Sequence, residues 1–224
     1  MKILALDSAT RACSVALWDG RLRARRFVET DRGHAEMLLP MITQVMQDAG
    51  MRFAALDRLA VTIGPGYFTG LRAGLAAMRG IALASGVPVV GMTTLLALAH
   101  GVPAAERAGQ RIVAALESKR AELFVQLFDE RLTPLSEPIS CTPAAAAEML
   151  QEPILLVGDG AARLRVALGD GRARLATAGS WPDAAVLAEA AAFLPAPPQG
   201  DLPMPLYLHP PEAQLPQADG RRRP

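Results

Sequence analysis

The sequence predicts an α/β fold, in which mixed β-sheets are covered by helices. The chain has 224 residues, of which 51% are hydrophobic, enough for a large core and too many for a disordered chain. Three short apolar segments joined by short turns open the sequence and predict an antiparallel meander. After them, strand-like and helix-like segments alternate, and the order over about the first hundred residues is β-β-β-α-β-α-β-α.

The elements of the first half are separated by glycines and short polar turns. Gly50 and Gly86 follow the last periodic residues of two helices and predict their C-terminal ends, and Thr69 is the predicted N-cap of the second helix. The predicted strands cover residues 1–7, 13–18, 23–29, 59–63 and 87–90, and the predicted helices cover residues 33–49, 69–85 and 94–100.

The second half predicts a smaller unit of the same kind. Its strands are expected at residues 112–116, 123–128 and 154–157, and its helices at 143–151 and 160–168. We expect residues 1–102 to form one lobe and 103–182 a smaller lobe, with a last helix at 183–194 packing back on the first lobe. Residues 210–224, with arginines at 221–223, predict a solvated tail, and a contact with RNA phosphates is the alternative.

Net charge, cysteine spacing and hydrophobic segments limit the binding partners and the cellular location that the sequence predicts. A formal net charge of +1 gives no field that would hold nucleic acid by charge alone. Cys13 and Cys141 form no metal-binding pattern and predict free thiols in a reducing cytosol, with a single disulfide as the alternative. Residues 80–105 carry no acidic or basic side chain other than one histidine, but glycine and proline interrupt them, so no membrane span is predicted. The apolar run at the start is too short for a secretory signal, and we predict a soluble cytoplasmic protein.

The first long helix has an apolar stripe with methionines at its margin. The stripe spans an arc of about 120° on a helical wheel. Its members are Ala35, Leu38, Leu39, Ile42, Val45, Met46 and Ala49. Met37 and Met41 lie just beyond it, where they either belong to an interaction surface or widen the core contact. Pro40 predicts a kink or the true first turn, because it has no N–H group.

The second long helix has a line of small side chains. This line consists of Ala73, Ala77, Gly80 and Ala84, and a bulkier line beside it consists of Leu71, Leu75, Met78 and Ala82. Glycine inside a helix costs about 1 kcal/mol relative to alanine, so close packing should compensate for it. The packing neighbour is either another part of this chain or a helix of a partner.

The glycine-containing loops do not form a recognised nucleotide site. Gly64-Pro65-Gly66, followed by Gly70, lacks the lysine and hydroxyl residue of a P-loop. Asp7 stands at a strand end like the metal-holding aspartate of another phosphate cradle, but Ala9 replaces the glycine that such a cradle needs. Gly158-Asp159-Gly160 predicts a tight turn, and a nucleotide contact is the alternative.

The remaining polar residues predict no catalytic centre either. The three histidines have no partner at ligand spacing; they are His34, His100 and His209. Glu117, Glu122 and Asp129 are spaced like carboxylates near a strand turn and not like an acid–base pair. No segment resembles a nucleophile elbow. We therefore predict no catalytic residue, no cofactor and no metal.

Four motifs are spread over nearly the whole chain, with the greatest density in residues 1–100. They read Ile3-Leu4-Ala5-Leu6-Asp7-Ser8-Ala9-Thr10 with Cys13-Ser14-Val15-Ala16-Leu17, His34-Ala35-Glu36 with Leu38-Leu39-Pro40, Gly64-Pro65-Gly66-Tyr67-Phe68-Thr69-Gly70-Leu71-Arg72, and Pro205-Leu206-Tyr207-Leu208. Together they resemble the bacterial TsaB family, also called YeaZ. Two positions depart from the family pattern: Tyr67 replaces the usual serine, and Glu117-Ser118-Lys119-Arg120 replaces the commoner Asp-Ala-Arg.

The resemblance implies both a fold and a process. The fold is two-lobed, like the actin, hexokinase and heat-shock chaperone ATPases of the ribonuclease H-like class, with mixed sheets flanked by helices. The process is the formation of threonylcarbamoyladenosine next to the anticodon of tRNAs that read codons beginning with A. In it, the larger relative TsaD transfers the threonylcarbamoyl group, and the small ATPase TsaE assists.

The resemblance also implies that this chain supports TsaD without catalysing the reaction. TsaD holds its metal with two histidines on a helix, and the corresponding positions here are Thr94 and Leu98. The implied partner interface uses both long helices, and its candidates are His34, Met37, Met41, Ala73, Ala77, Gly80 and Ala84. A homodimer could use the same helices, and tRNA would be met only through the complex. The alternatives are a sugar-kinase-like phosphotransferase and a metallopeptidase.

Overall fold

Two five-stranded sheets organise the molecule in a computed structural model that describes residues 1–150, 153–169, 171–195, 197–198 and 200–209. The strands of the first sheet are β1 (Lys2–Asp7), β2 (Ala12–Asp19), β3 (Leu22–Glu29), β4 (Arg58–Thr62) and β5 (Val89–Met92). Those of the second sheet are β6 (Arg111–Glu117), β7 (Leu123–Phe128), β8 (Ile139–Cys141), β9 (Ile154–Val157) and β10 (Ala173–Leu175).

The two sheets have the same topology. The strand orders are β3-β2-β1-β4-β5 and β8-β7-β6-β9-β10. In each sheet, the first three strands form an antiparallel meander and the last two run parallel to the first strand. The predicted fold class, α/β with two mixed sheets flanked by helices, is confirmed.

Helices cover both faces of the first sheet. The helices are α1 (His34–Asp48), α2 (Phe68–Ser85), α3 (Thr94–His100), α4 (Ala104–Arg107), α5 (Pro143–Met149), α6 (Ala161–Leu168) and α7 (Ala184–Ala191). α1 and α2 pack with Leu6, Val15 and Val61 on one face. On the other face, α7 packs against β1 and β2 although it follows the second sheet in sequence.

The core of the second sheet is shared with α3. Leu95 and Leu98 of α3 lie among Leu116, Phe128 and Leu155 on one face, while α5 and α6 cover the other. Since α3 also contributes Ala97 to the core of the first sheet, this helix belongs to both packed layers. It therefore connects the two halves through buried apolar contacts.

The apolar stripe predicted for α1 is partly wrong. Ala35 is exposed and Leu39 is 59% exposed, whereas Met41 is buried at 8%. The buried line is His34, Leu38, Met41, Ile42, Val45 and Met46. This line faces the first sheet and α2. A helical wheel shows which residues share a face, but it does not show which face packs against the rest of the protein. α1 continues through Pro40, so the interpretation of Pro40 as a first turn is also wrong.

Several boundaries and short elements differ from the prediction. Tyr67, and not Thr69, is the residue before α2, and β5 begins at Val89. β8, β10 and α4 have three, three and four residues, too few for a periodic pattern to be recognised in the sequence. The start of α5 follows a local rule instead, because the Thr142 hydroxyl accepts a hydrogen bond from the N–H of Ala145.

Other predictions concern cysteines and membranes. Cys13 and Cys141 are both free thiols, as predicted. Within the described ranges, no helix is sufficiently long and apolar to cross a bilayer. The predicted tail at residues 210–224 lies outside the described residues.

Candidate functional site

The first candidate site is the loop that follows β1, where related ATPase folds would hold phosphate. Asp7 is fully buried at the end of β1, and its Oδ1 accepts hydrogen bonds from Thr62 Oγ1 at 2.5 Å and Ala9 N at 3.3 Å. Its Oδ2 is buried and has no hydrogen-bond partner among the described residues. Burial raises the pKa of Asp7 from 3.8 to about 7. A carboxyl group with this pKa is about half protonated near pH 7.

Residues 8–10 of this loop form hydrogen bonds with other segments of the chain. Ala9 O accepts a hydrogen bond from Tyr67 N at 2.7 Å, and Thr10 O lies 2.8 Å from His34 Nε2. Ser8 Oγ donates to Gly70 O at 2.9 Å. Two segments that are distant in sequence, one at His34 and one at residues 67–70, therefore close on residues 8–10. This explains the burial of His34, which is 8% exposed.

The glycines of the Gly64–Arg72 motif serve this closure. A Cβ atom at Gly66 would lie 2.1 Å from Ala9 O, and one at Gly70 would lie 2.1 Å from Ser8 O. Both distances are far below any real contact, so only glycine permits the loop to approach. The motif is thus a packing device in this chain, in agreement with the sequence argument that it is not a P-loop.

The second lobe closes the same region from the other side. A cleft with about 10 Å³ of free space is lined by Ala9, Thr10, Gly66, Tyr67, Leu116, Glu117, Asp159 and Trp181. Pockets for small organic ligands usually measure about 300–1,000 Å³. The cleft between the lobes is accordingly too small for a nucleotide in this conformation.

The carboxylates of the cleft have structural partners. Asp159 Oδ1 accepts a hydrogen bond from Glu117 N at 3.0 Å, and Glu117 Oε2 pairs with Arg163 Nη1 at 2.6 Å. Burial raises the pKa of Asp159 to about 6, and the nearby Glu117 charge adds to this effect. Residues 158–160 form a turn between β9 and α6, as predicted.

The helix that carries metal ligands in TsaD has no suitable donors here. Thr94 and Leu98 lie four residues apart on α3, and both are buried. The Thr94 hydroxyl has no hydrogen-bond partner among the described residues, and Leu98 belongs to the apolar core beside Gly158. A hydroxyl and a hydrocarbon do not replace two imidazoles, so these residues do not fit a metal ion. Across the described ranges, no three His, Cys, Asp or Glu side chains gather as metal ligands.

The second candidate site is the outer face of α1 and α2. Met37, Ala73 and Ala77 are half-buried against the core, while Gly80 and Ala84 are exposed. His34 and Met41 are buried within the chain, so they contribute little to this face. The structure therefore brings the small residues of α2 to the surface and withdraws two of the seven interface candidates.

Exposed apolar side chains that were not predicted as interface residues lie on the same two helices. Leu83 is 89% exposed, Leu39 is 59% exposed and Phe68 is 48% exposed. A leucine that lies outside the apolar stripe of a helix can be recognised in the sequence. The predicted stripe of α1 wrongly included Leu39 and therefore assigned it to the core. We call Met37, Leu39, Ala77, Gly80, Leu83 and Ala84 the helix-pair face.

The glycines of α2 differ in what surrounds them. A Cβ at Gly74 would meet Ser8 Oγ at 2.4 Å, so this glycine is required by contacts within the chain. A Cβ at Gly80 would meet nothing within 4 Å. The loss of helix stability caused by Gly80 is consequently not compensated by any contact inside the described residues.

A C-terminal strap, residues 202–209, contacts the N-terminal part of α2. Leu206 N donates to Ile63 O at 2.7 Å, and the hydroxyl of Tyr207 accepts a hydrogen bond from Arg72 Nε at 2.8 Å. The Arg72 guanidinium also stacks over the Phe68 ring at 3.7 Å. The family-like segments at residues 64–72 and 205–208 are therefore in direct contact.

Comparisons with known proteins agree with these motifs. The family model of TsaD, the tRNA N6-adenosine threonylcarbamoyltransferase, matches residues 28–172. The tRNA threonylcarbamoyladenosine biosynthesis protein TsaB of Escherichia coli is 38% identical over 125 residues, which cover 55% of this chain and 53% of that protein. The protein of the same description from Haemophilus influenzae is 31% identical over 67% of this chain and 68% of its own length.

A solved structure extends the likeness to almost the whole chain. A Pseudomonas aeruginosa protein described as similar to peptidase YeaZ superposes with a TM-score of 0.78 at 28% identity. The match covers 93% of this chain and 99% of that one. The motifs, the duplicated sheet topology and these relatives lead to one conclusion: the chain belongs to the TsaB family.

Proposed function

We propose that this chain is a non-catalytic cytoplasmic subunit of the machinery that forms threonylcarbamoyladenosine in tRNA. In this proposal it docks on TsaD through the helix-pair face, works together with TsaE, and meets tRNA only within the complex. The descriptions of the TsaB relatives support the assignment to this process. The absence of imidazole side chains at Thr94 and Leu98 supports a role without catalysis.

One observation carries the docking part of the proposal. Gly80 is exposed with open space around its α-carbon, and Leu83 beside it is 89% exposed. A helix of a partner can approach closely over Gly80, Ala84 and Ala77, because their side chains are small. Burying Leu83 in the same contact would contribute about 1.5–3 kcal/mol.

The docking surface also explains the features that intrachain packing leaves unexplained. Gly70 and Gly74 are both in contact with Ser8, whereas Gly80 has no such reason to be glycine. A partner helix supplies that reason. A second copy of the chain on the same face would be the form adopted when TsaD is absent.

Reconstitution tests the proposed role. Purified TsaD, TsaE, ATP, threonylcarbamoyl-adenylate and tRNA are combined with or without this protein, and the modified nucleoside is measured by mass spectrometry. We expect multiple turnovers only in the presence of this protein. Equal yields without it would reject the proposal.

The two enzymatic alternatives find no support at the site. A phosphotransferase would need room for phosphate beside the loop at residues 8–10, but His34, Tyr67 and Gly70 pack directly on this loop. The metallopeptidase alternative agrees with the peptidase description of the P. aeruginosa relative. A metallopeptidase would need metal ligands, however, and no group of three His, Cys, Asp or Glu side chains in the described ranges could supply them. Metal analysis and calorimetry with Mg-ATP on the purified chain test both alternatives, and we expect neither ligand to bind.

A further inference from the structure

We propose that Tyr67 and Lys119 form a latch that holds the two lobes together across the cleft. The inference does not depend on the proposed function. It concerns the two places where the sequence departs from the TsaB pattern, since both departures lie at one contact.

The contact itself joins residues from different lobes. Tyr67 precedes α2 in the first lobe, and Lys119 lies in the turn between β6 and β7 of the second lobe. The Nζ atom of Lys119 is 3.6 Å from the centre of the Tyr67 ring. This is well within the distance at which an ammonium group is attracted to an aromatic face.

The turn that presents Lys119 is held in place by its own hydrogen bonds. Ser118 Oγ donates to Glu122 O at 2.7 Å and accepts from Arg120 N at 3.2 Å. Arg163 of α6 binds both the Glu117 carboxylate and the Ala121 carbonyl. The side chain of Lys119 therefore extends from a preorganised turn.

Lys119 adopts a backbone conformation that is unfavourable for lysine. Its φ is 64°, in the left-handed region that glycine or asparagine usually occupies. The turn nevertheless accommodates lysine here, and the ammonium group at the end of this side chain reaches the Tyr67 ring.

Tyr67 is equally well anchored on its own side. Its N–H donates to Ala9 O at 2.7 Å, and its ring lines the cleft together with Glu117, Asp159 and Trp181. The ring thus lies between the loop at residues 8–10 and the second lobe. Burial raises the pKa of Tyr67, and the Asp159 charge adds to that shift, which agrees with a position inside the closed cleft.

The latch complements the connections that the lobes share elsewhere. α3 contributes to the cores of both sheets, and Ser14 of β2 binds Pro182 O and Ala184 N beside Trp181. These contacts fix the lobes at their shared helix and at the segment before α7. Tyr67 and Lys119 add a contact at the mouth of the cleft, where separation of the lobes would begin.

Trp181 provides the readout, because it lines the cleft and the chain has two tryptophans. In a full-length Trp18→Phe background, Trp181 is the sole indole, and acrylamide quenching of its fluorescence measures cleft opening. We expect Lys119→Met to raise the equilibrium constant for cleft opening about two- to fivefold, the change that corresponds to loss of one cation–π contact, and the quenching constant to rise with it. Lys2→Met, which removes the other lysine far from the cleft, should leave the constant unchanged.

A double-mutant cycle separates the latch from a general loosening. We expect Tyr67→Ser to match Lys119→Met, and the double variant to show no more quenching than either single variant. Tyr67→Phe and Lys119→Arg retain a ring and a cation, so they should behave like the background protein. Additive effects in the cycle, or no change with Lys119→Met, would overturn the proposal. Because Lys119 is exposed, its replacement by methionine tests the latch even if Tyr67→Ser impairs folding.

Discussion

At the scale of single residues, Asp7 is a buried carboxyl group whose contacts are all within the fold. Its carboxyl group is enclosed at the end of β1, where Thr62 and Ala9 satisfy one oxygen and the other has no partner in the described part of the chain. A permanently charged group would be unfavourable in such surroundings. The raised pKa is the physical consequence, and it makes folding sensitive to pH.

We predict that Asp7→Asn removes a pH dependence of stability. With a folded pKa of about 7 against 3.8, Asp7 binds more protons in the folded state, so its contribution is complete below about pH 4 and is lost as pH rises to about 7. Above that range the loss amounts to roughly 2–4 kcal/mol. Urea unfolding at pH 5 and pH 8 measures the free energy of unfolding, and the difference between these values should be smaller in the variant. An unchanged difference would show that Asp7 is ionised throughout.

The unpartnered hydroxyl of Thr94 leads to a second residue-level prediction. Thr94→Val keeps the shape of the side chain and removes a buried polar group without a partner, so we expect stability to stay equal or rise by about 1 kcal/mol. Thr62→Val is the matched control, since the same change there deletes the hydrogen bond to Asp7 and should destabilise the protein. Thermal unfolding compares the two variants. A loss of stability in Thr94→Val similar to that in Thr62→Val would mean that the Thr94 hydroxyl does have a partner.

At the scale of elements, α2 combines two kinds of small residue on one helix. Gly70 and Gly74 face the loop after β1, where a Cβ would collide with Ser8. Gly80 and Ala84 face outward beside Leu83. The first kind stabilises the fold of the chain itself, and the second leaves a shallow surface that another helix can fill.

Gly80 allows the docking surface to be tested without disturbing the fold. We predict that Gly80→Arg abolishes co-purification with TsaD, because the long charged side chain occupies the space that a partner helix needs. No atom within 4 Å of the new Cβ opposes folding. Val166→Arg, on the exposed side of α6 in the second lobe, is the matched control and should bind normally.

A companion variant reports on the helix itself. Gly80→Ala should raise the stability of the isolated chain by about 0.5–1 kcal/mol, the usual difference between the two residues in a helix. Retained binding by Gly80→Arg would exclude this part of α2 from the interface. Unfolding of Gly80→Arg, followed by circular dichroism, would instead contradict the open surroundings of Gly80.

At the scale of the whole molecule, the C-terminal strap connects elements from both lobes. Leu206 pairs with Ile63 next to β4, and Tyr207 binds Arg72 of α2. His209 then packs against Phe124 of β7 and lies 3.2 Å from Ser140 Oγ of β8. The strap thus ties the start of α2 to the second sheet after the last helix has returned to the first sheet.

We predict that a chain ending at Asp201 melts at a temperature lower by roughly 5–10 °C, because the strap contacts with both lobes are lost together. A chain ending at His209 is the matched control, so that the change is assigned to residues 202–209. Differential scanning calorimetry measures both. An equal melting temperature for the two truncated chains would show that the strap does not stabilise the fold.

Much of the fold could be predicted because its signals are local. The apolar runs of β1 and β2 and the glycines after α1 and α2 act within a few residues, so these elements are predictable from the sequence. β8 and β10 are too short to show a period, and they form because a neighbouring strand is available. The prediction that Leu39 is buried is wrong for the same reason, because the buried side of α1 depends on where α2 and the sheet lie.

The sequence by itself determined the order of the main elements, the TsaB motifs and the loss of histidines at Thr94 and Leu98, because each of these is a property of residue type and spacing. The tertiary structure alone decided that His34 and Met41 are buried, that Gly80 is open, and that Tyr67 meets Lys119. These outcomes depend on contacts between segments far apart in the chain. Such contacts arise only when the two sheets and their helices pack, and no local pattern encodes them.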